Sequence, residues 1–94
     1  MICCRIFTPE GSSIEVNVDA FTFEAPDARR TISEGHMPIV VSVEDGMFQT
    51  RYHGERVRYD MGDGVMYYRK GVATFLVSSV SEGTVLSRYE EPSE

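Results

Sequence analysis

The chain has 94 residues, a formal net charge of −6 and a hydrophobic share of 41%, which is room for one domain with one modest core. Nine basic residues against fifteen acidic ones exclude nucleic acid as an expected partner, because phosphate binding needs a cationic surface. No apolar run nears the ~20 residues of a membrane-spanning helix, and the opening MICCRIFTPE lacks the basic region and long apolar core of a signal peptide, so no direct membrane insertion is expected.

Ile2 to Phe7 reads as a first strand, ended by the TPEG turn. Ile14, Val16, Val18 and Ala20 then alternate with Glu15, Asn17 and Asp19, the period of a half-buried strand. At Ala20 and Phe21 the apolar parity flips, and Phe21 and Phe23 continue at odd positions. One inserted residue does this, which predicts a β-bulge near Ala20. EAPDARR is a polar connection. Ile39 to Val43 is a compact, nearly continuous apolar run, predicted to be a strand buried on both faces and stopped by the EDG turn.

Met47 to Tyr52 and Glu55 to Asp60 form a predicted hairpin about His53-Gly54, and MGDG is the next turn. Val65 to Arg69 and Val72 to Ser78 make a second hairpin about Lys70-Gly71, with glycine supplying the positive φ such turns need. Thr84 to Tyr89 is a last extended piece, and residues 90–94 read as a disordered acidic tail. No segment keeps apolar spacings of three and four over ten residues, so no helix is expected. Short strands between evenly spaced turn signals predict an all-β sandwich or barrel. One β-domain over residues 1–89, with two packed sheets, hides a core of this size.

Candidates for chemistry are sparse. His36 and His53 are the only histidines, and neither belongs to a paired-ligand motif, so no metal site is expected. His53 stands at a hairpin tip and reads as a solvated turn residue. Cys3 and Cys4 are adjacent, point to opposite faces of a strand, and read as small core apolars rather than a disulfide. Cys3 with His36 would meet only through the fold, and no local motif supports covalent catalysis. Tyr67 and Tyr68 alternate across a strand, so one ring packs inward and the other lies at the surface. Met66, Tyr68 and Arg69 are, by composition, candidates for a partner-facing patch. Arg29 and Arg30 in a loop, with Arg51, Arg56, Arg58, Arg69 and Lys70 on or near the hairpins, form a local cationic cluster. It faces either solvent or a carboxylate-bearing partner.

The order of these features resembles the N-terminal β-sandwich of the epsilon subunit of F-type ATP synthase. IFTPEGSSIEVNVDAFTF is similar to that family's opening strand, TPE-like turn and second strand. TISEGHMPIVVSVEDG resembles its GILPGHxPLxxxLxxG stretch, matching at Ile32, Gly35, His36, Pro38, Ile39 and Gly46. YDMGDGVMYYRKGVATFLVSS resembles its SGGxxxVxxxxVTVLAD end, with Gly62, Gly64, Val72, Thr74 and Leu76 in register. The resemblance spans Ile2 to Ser79 and implies a flattened β-sandwich of about ten short strands.

It also implies a mechanical role at the foot of the central stalk, packed on the gamma subunit and resting on the c-ring, helping to couple ion flow to rotation and ATP synthesis. No catalytic residue, cofactor or metal is implied, and the location implied is the cytoplasmic face of the bacterial inner membrane. Arg29, Arg30, Glu34, His36 and Met37 form the ring-facing end by this resemblance, and Met66, Tyr68 and Arg69 are the gamma-facing candidates. The isolated chain is expected to be monomeric or weakly self-associating.

Three features depart from the pattern. The sequence ends at Glu94 without the C-terminal helical hairpin that inhibits hydrolysis in the family. Arg29 falls near the position of an acidic residue, and Glu34 replaces a proline. Two rival readings belong to other classes: a free-standing β-sandwich that binds a protein or small ligand, and a small hydrolase using Cys3 or His36.

Overall fold

The computed structural model describes residues 1–87. It contains ten strands and, among the described residues, no helix. They are β1 (Ile2–Phe7), β2 (Ser13–Val18), β3 (Ala20–Glu24), β4 (Arg29–Ser33), β5 (Ile39–Val43), β6 (Gly46–Tyr52), β7 (Glu55–Met61), β8 (Gly64–Arg69), β9 (Val72–Val77) and β10 (Thr84–Ser87). The first sheet runs β2-β1-β9-β8-β5 and the second β10-β7-β6-β3-β4. All neighbours are antiparallel except β1 and β9, which lie parallel with Cys3 opposite Val72. The expected all-β sandwich of about ten strands is what forms.

Alternation on each strand builds the core. Ile2, Cys4 and Ile6 of β1, Met66 and Tyr68 of β8, and Ala73, Phe75 and Val77 of β9 face inward from the first sheet. Phe21 and Phe23 of β3, Ile32 of β4, Phe48 of β6 and Tyr59 of β7 meet them from the second. Phe75 is the hub: its ring lies 5.5 Å from Phe21, 5.9 Å from Phe23 and 5.0 Å from Phe48, each edge-on. Such tilted aromatic pairs add to the stabilisation that burial alone provides.

Both predicted hairpins turn where expected. His53 (φ 51°) with Gly54 (φ 83°), and Lys70 (φ 50°) with Gly71 (φ 80°), supply the two consecutive positive φ values of a type I′ turn. At Gly64, opening β8, close approach excludes any side chain: a Cβ there would stand 1.9 Å from the carbonyl oxygen of Leu76.

Three expectations are corrected. The parity flip at Ala20 is not a bulge within one strand. β2 ends at Val18 in the first sheet and β3 begins at Ala20 in the second, so Asp19 is a corner between sheets. The corner is held by the Asp19 N–H donating to the Arg51 carbonyl (2.7 Å) and by the His53 N–H donating to Asp19 Oδ2 (2.9 Å). Parity therefore changes because the inward direction reverses. Next, EAPDARR is not all connection: Arg29 opens β4, which pairs with β3 from Glu24↔Arg29 to Ala20↔Ser33. Finally, β5 is an edge strand buried on one face only; Val43 is buried whereas Val40 is 73% exposed. The predicted last strand forms at Thr84–Ser87; Tyr89 and the tail 90–94 lie outside the described residues.

Candidate interaction surface

The strand directions sort the loops into two ends. One end holds Met1, Asp19, the Ser33–Pro38 connection and the two type I′ turns; the other holds Thr8–Ser12, Ala25–Ala28, Glu44–Asp45 and Gly62–Asp63. The residues expected to share a ring-facing end fall at both. Arg29 and Arg30 lie at the start of β4, and Glu34, His36 and Met37 follow its far end. Three residues of extended chain, Thr31, Ile32 and Ser33, lie between Arg30 and Glu34 and set the two groups about 13 Å apart at roughly 3.3 Å per residue. They stand at opposite ends of β4.

Arg29 is on the strand rather than in a loop, and its guanidinium reaches across to Glu24, with Nε 3.0 Å and Nη2 2.9 Å from the same Oε2. Arg30 turns the other way, with Nη2 3.5 Å from Asp27 Oδ2; its Nε is buried with no hydrogen-bond partner among the described residues.

At the other end the chain crosses from the second sheet to the first. Gly35 takes φ 87°, a left-handed conformation that suits glycine, and the His36 N–H then donates to the Ser33 carbonyl at 3.2 Å. His36 Nδ1 lies 2.7 Å from the Met37 carbonyl oxygen, an acceptor only, so the proton sits on Nδ1. The imidazole stands edge-on to Tyr68 at 6.1 Å and 85°. Glu34 pairs with the N-terminal ammonium of Met1. His36 and Glu34 thus tie the inter-sheet connection to β8 and to the start of β1. Of this group Met37, 72% exposed, is the side chain most open to a partner.

The gamma-facing candidates need a second correction. Met66 is fully buried and Tyr68 is 3% exposed, so neither side chain reaches a partner. The outward residues of β8 are Val65, Tyr67 and Arg69. The parity of Arg69 was the available signal, because a charged side chain on a strand of a small sandwich faces out, and Val65 and Tyr67 share its side. In register with them, across the outer face of the first sheet, lie Phe7 (β1), Leu76 (β9) and Val40 (β5). Phe7, Val40, Tyr67 and Leu76 are 42%, 73%, 45% and 47% exposed. They make a contiguous apolar stripe, the kind of surface that marks an interaction site. An apolar cleft of about 470 Å³ lined by Phe7, Pro9, Asp63, Leu76 and Ser78 continues it at one end.

The cysteines are not disposed for nucleophilic chemistry. Burial pushes the Cys4 thiol up to about 12, and burial with the Glu15 carboxylate, 3.3 Å from Cys3 Sγ, raises Cys3 as well. Both changes suppress the reactive thiolate. Cys3 bonds Glu15 rather than His36. Among the described residues no cluster of three or more His, Cys, Asp or Glu side chains is placed to hold a metal ion, and no helix is long and apolar enough to cross a membrane.

No protein-family model matches the chain, and no curated protein matches it. Solved structures do. A chain in the Euglena gracilis mitochondrial ATP synthase structure containing OSCP, F1 and the c-ring matches with a TM-score of 0.73 at 18% identity, over 95% of this chain and 56% of that one. A chain in the central stalk and c-ring structure of the Tetrahymena thermophila mitochondrial ATP synthase matches with a TM-score of 0.68 at 11% identity, over 84% of this chain and 64% of that one. The chain thus spans less than two thirds of each. Both complexes are mitochondrial, so the expected bacterial inner-membrane location gains no support from them. At these identities the likeness establishes architecture: the all-β fold of this chain matches part of a chain in each of two ATP synthase structures.

Proposed function

We propose that this chain is a non-catalytic, epsilon-type subunit of an ATP synthase central stalk, bridging the gamma subunit and the c-ring so that rotation of the ring is transmitted. Its place would be peripheral, at the membrane face that carries the rotor. The observation that supports the reading most is the fold likeness at a TM-score of 0.73 to a chain of a complex that contains F1 and the c-ring. The apolar stripe of Phe7, Val40, Val65, Tyr67 and Leu76 supplies what such a subunit needs, a flat face that is covered only in an assembly. We assign the gamma contact to that stripe and the ring contact to the Met37 corner, with Arg29 and Arg30 outside it. No cofactor enters the proposed role.

Co-purification tests it. The chain, mixed at micromolar concentration with the gamma subunit of its own source, elutes as one complex; Tyr67→Asp with Leu76→Asp abolishes co-elution while leaving the thermal transition in place. Separate elution of the unmodified chain ends the stalk assignment. A second reading, a free-standing binding module, is favoured only by the cleft beside Phe7 and Leu76, and it predicts capture of a small apolar ligand with no response to gamma.

A further inference from the structure

Four strands stand at sheet edges, β2 and β5 in the first sheet and β10 and β4 in the second. An edge presents a row of backbone donors and acceptors to any extended chain, and proteins block such rows with charge, proline, a bulge or a very short strand. Three of the four carry such a device. β2 has Glu15, β4 opens with Arg29 and Arg30, and β10, four residues among those described, breaks register between Val85 and Ser87. β5 has none. The strand IVVSV contains no charge and no proline, and it pairs with β8 without a register shift from Ile39↔Tyr68 to Val43↔Gly64. Among the described residues, no backbone hydrogen bond outside that ladder involves residues 39–43.

The side chains along this edge are also incompletely covered. Ile39 and Val41 pack on the core yet are only half-buried, whereas Val43, next in the same row, is buried. The core is therefore open along β5, and one more strand with apolar side chains at alternate positions closes it. Four of the five residues of β5 are β-branched, the type that packs well across strands. The end of the edge carries charge. β5 runs directly into Glu44 and Asp45, both exposed, and the Glu44 N–H fixes that end by donating to the Glu24 carbonyl at 2.8 Å. Glu44 and Asp45 share a cleft with Glu24, Arg29 and Arg58. Its two arginines are engaged elsewhere, Arg29 with Glu24 and Arg58 with Asp60. The carboxylates of Glu44 and Asp45 are thus in excess, which favours a cation on an incoming chain.

We infer that the open edge of β5 is a pairing site for an extended segment of a partner protein, apolar at alternate positions and basic at the end that meets Glu44 and Asp45. Strand addition of this kind draws affinity from main-chain hydrogen bonds and selectivity from alternate side chains. The inference does not depend on the stalk assignment.

Titration of the isotopically labelled full chain with the peptide KKTVTVTV, followed by amide chemical shifts, tests it. The peptide moves the amides of β5 and β8. Successive residues of a strand direct their N–H groups to opposite sides, so N-methylation of all its threonines, or of all its valines, blocks one side only. One methylated form loses affinity by about tenfold or more, and the other keeps it within about twofold. Glu44→Gln with Asp45→Asn weakens binding by about twofold to fivefold, the scale of exposed ion pairs. Val41→Lys, a charge aimed inward at the edge, abolishes binding, whereas Asn17→Lys makes the same change in charge on β2 and leaves affinity within about twofold. Thermal melting shows whether each variant folds, and the two methylated peptides decide the matter if Val41→Lys does not. Five results overturn the inference: no shift at β5, equal binding of the two methylated forms, unchanged affinity after Glu44→Gln with Asp45→Asn, equal losses in Val41→Lys and Asn17→Lys, or β5 shifts that grow with protein concentration alone, which would make the edge a contact between copies.

Discussion

Cys4 shows how one side chain's place in the core becomes a measurable property of the whole. Its thiol is fully buried, and loss of hydration lifts its pKa from 9.0 to about 12. The folded state therefore holds a proton that the unfolded state releases. Stability from this group is complete below pH 9 and is lost as pH rises from about 9 towards 12. Tyr59, raised from 10.0 by burial first and by Cys4 second, adds to the same alkaline decline. Denaturant unfolding at successive pH values should fall by up to roughly 1.4 kcal/mol per pH unit from Cys4 within that window. Cys4→Ala, compared with itself at pH 8, should show a shallower decline. His36 makes the complementary point: its type and its flanking glycine and proline were legible in the sequence, but its partner was not. Tyr68 lies thirty-two positions away and meets it only because β4 and β5 sit in different sheets.

Among the elements, legibility followed locality. Turns announce themselves through residues that must adopt particular backbone angles, and both two-residue hairpin turns were readable for that reason. The same chemistry identifies room for improvement. Lys70 holds φ 50° at the first position of its turn, a region costly for most side chains and easier for asparagine. Lys70→Asn is expected to stabilise the domain by about 0.5 kcal/mol, read as a higher denaturation midpoint with unchanged m-value. β4 was invisible because its outward residues are Arg29, Thr31 and Ser33 and its inward ones Arg30 and Ile32; one apolar side chain gives no alternation to read. It is a strand because β3 offers it a ladder, and that is a property of its neighbour. Val40 misled in the other direction. An apolar residue in an apolar run reads as core, yet here it belongs to the exposed stripe with Tyr67.

For the molecule as a whole, the two sheets give the sandwich two unlike outer faces, one with an apolar stripe and one of mixed charge, where Arg29 and Arg58 stand beside carboxylates. A composition summed to −6 conceals this, because net charge averages over surfaces that partners meet separately. The uncovered apolar face is expected to make the isolated chain self-associate weakly. Sedimentation velocity at increasing concentration should show a rising average sedimentation coefficient, and Leu76→Asp should remove the rise. Persistence of the rise in that variant would locate self-association elsewhere.

The parallel pairing of β1 with β9 reaches from one end of the described chain almost to the other. During synthesis Cys3 emerges early, whereas Val72, its neighbour in the ladder, appears about seventy residues later. At roughly 5–20 residues per second that is a wait of several seconds. Throughout it the apolar first strand has only β2 to pair with, and the centre of its sheet is missing. Assembly is therefore bound to come late and all at once, with slow, non-local zipping of the kind long sequence separations impose. Until β9 arrives, Ile2, Cys4 and Ile6 lack the neighbours that complete their sheet.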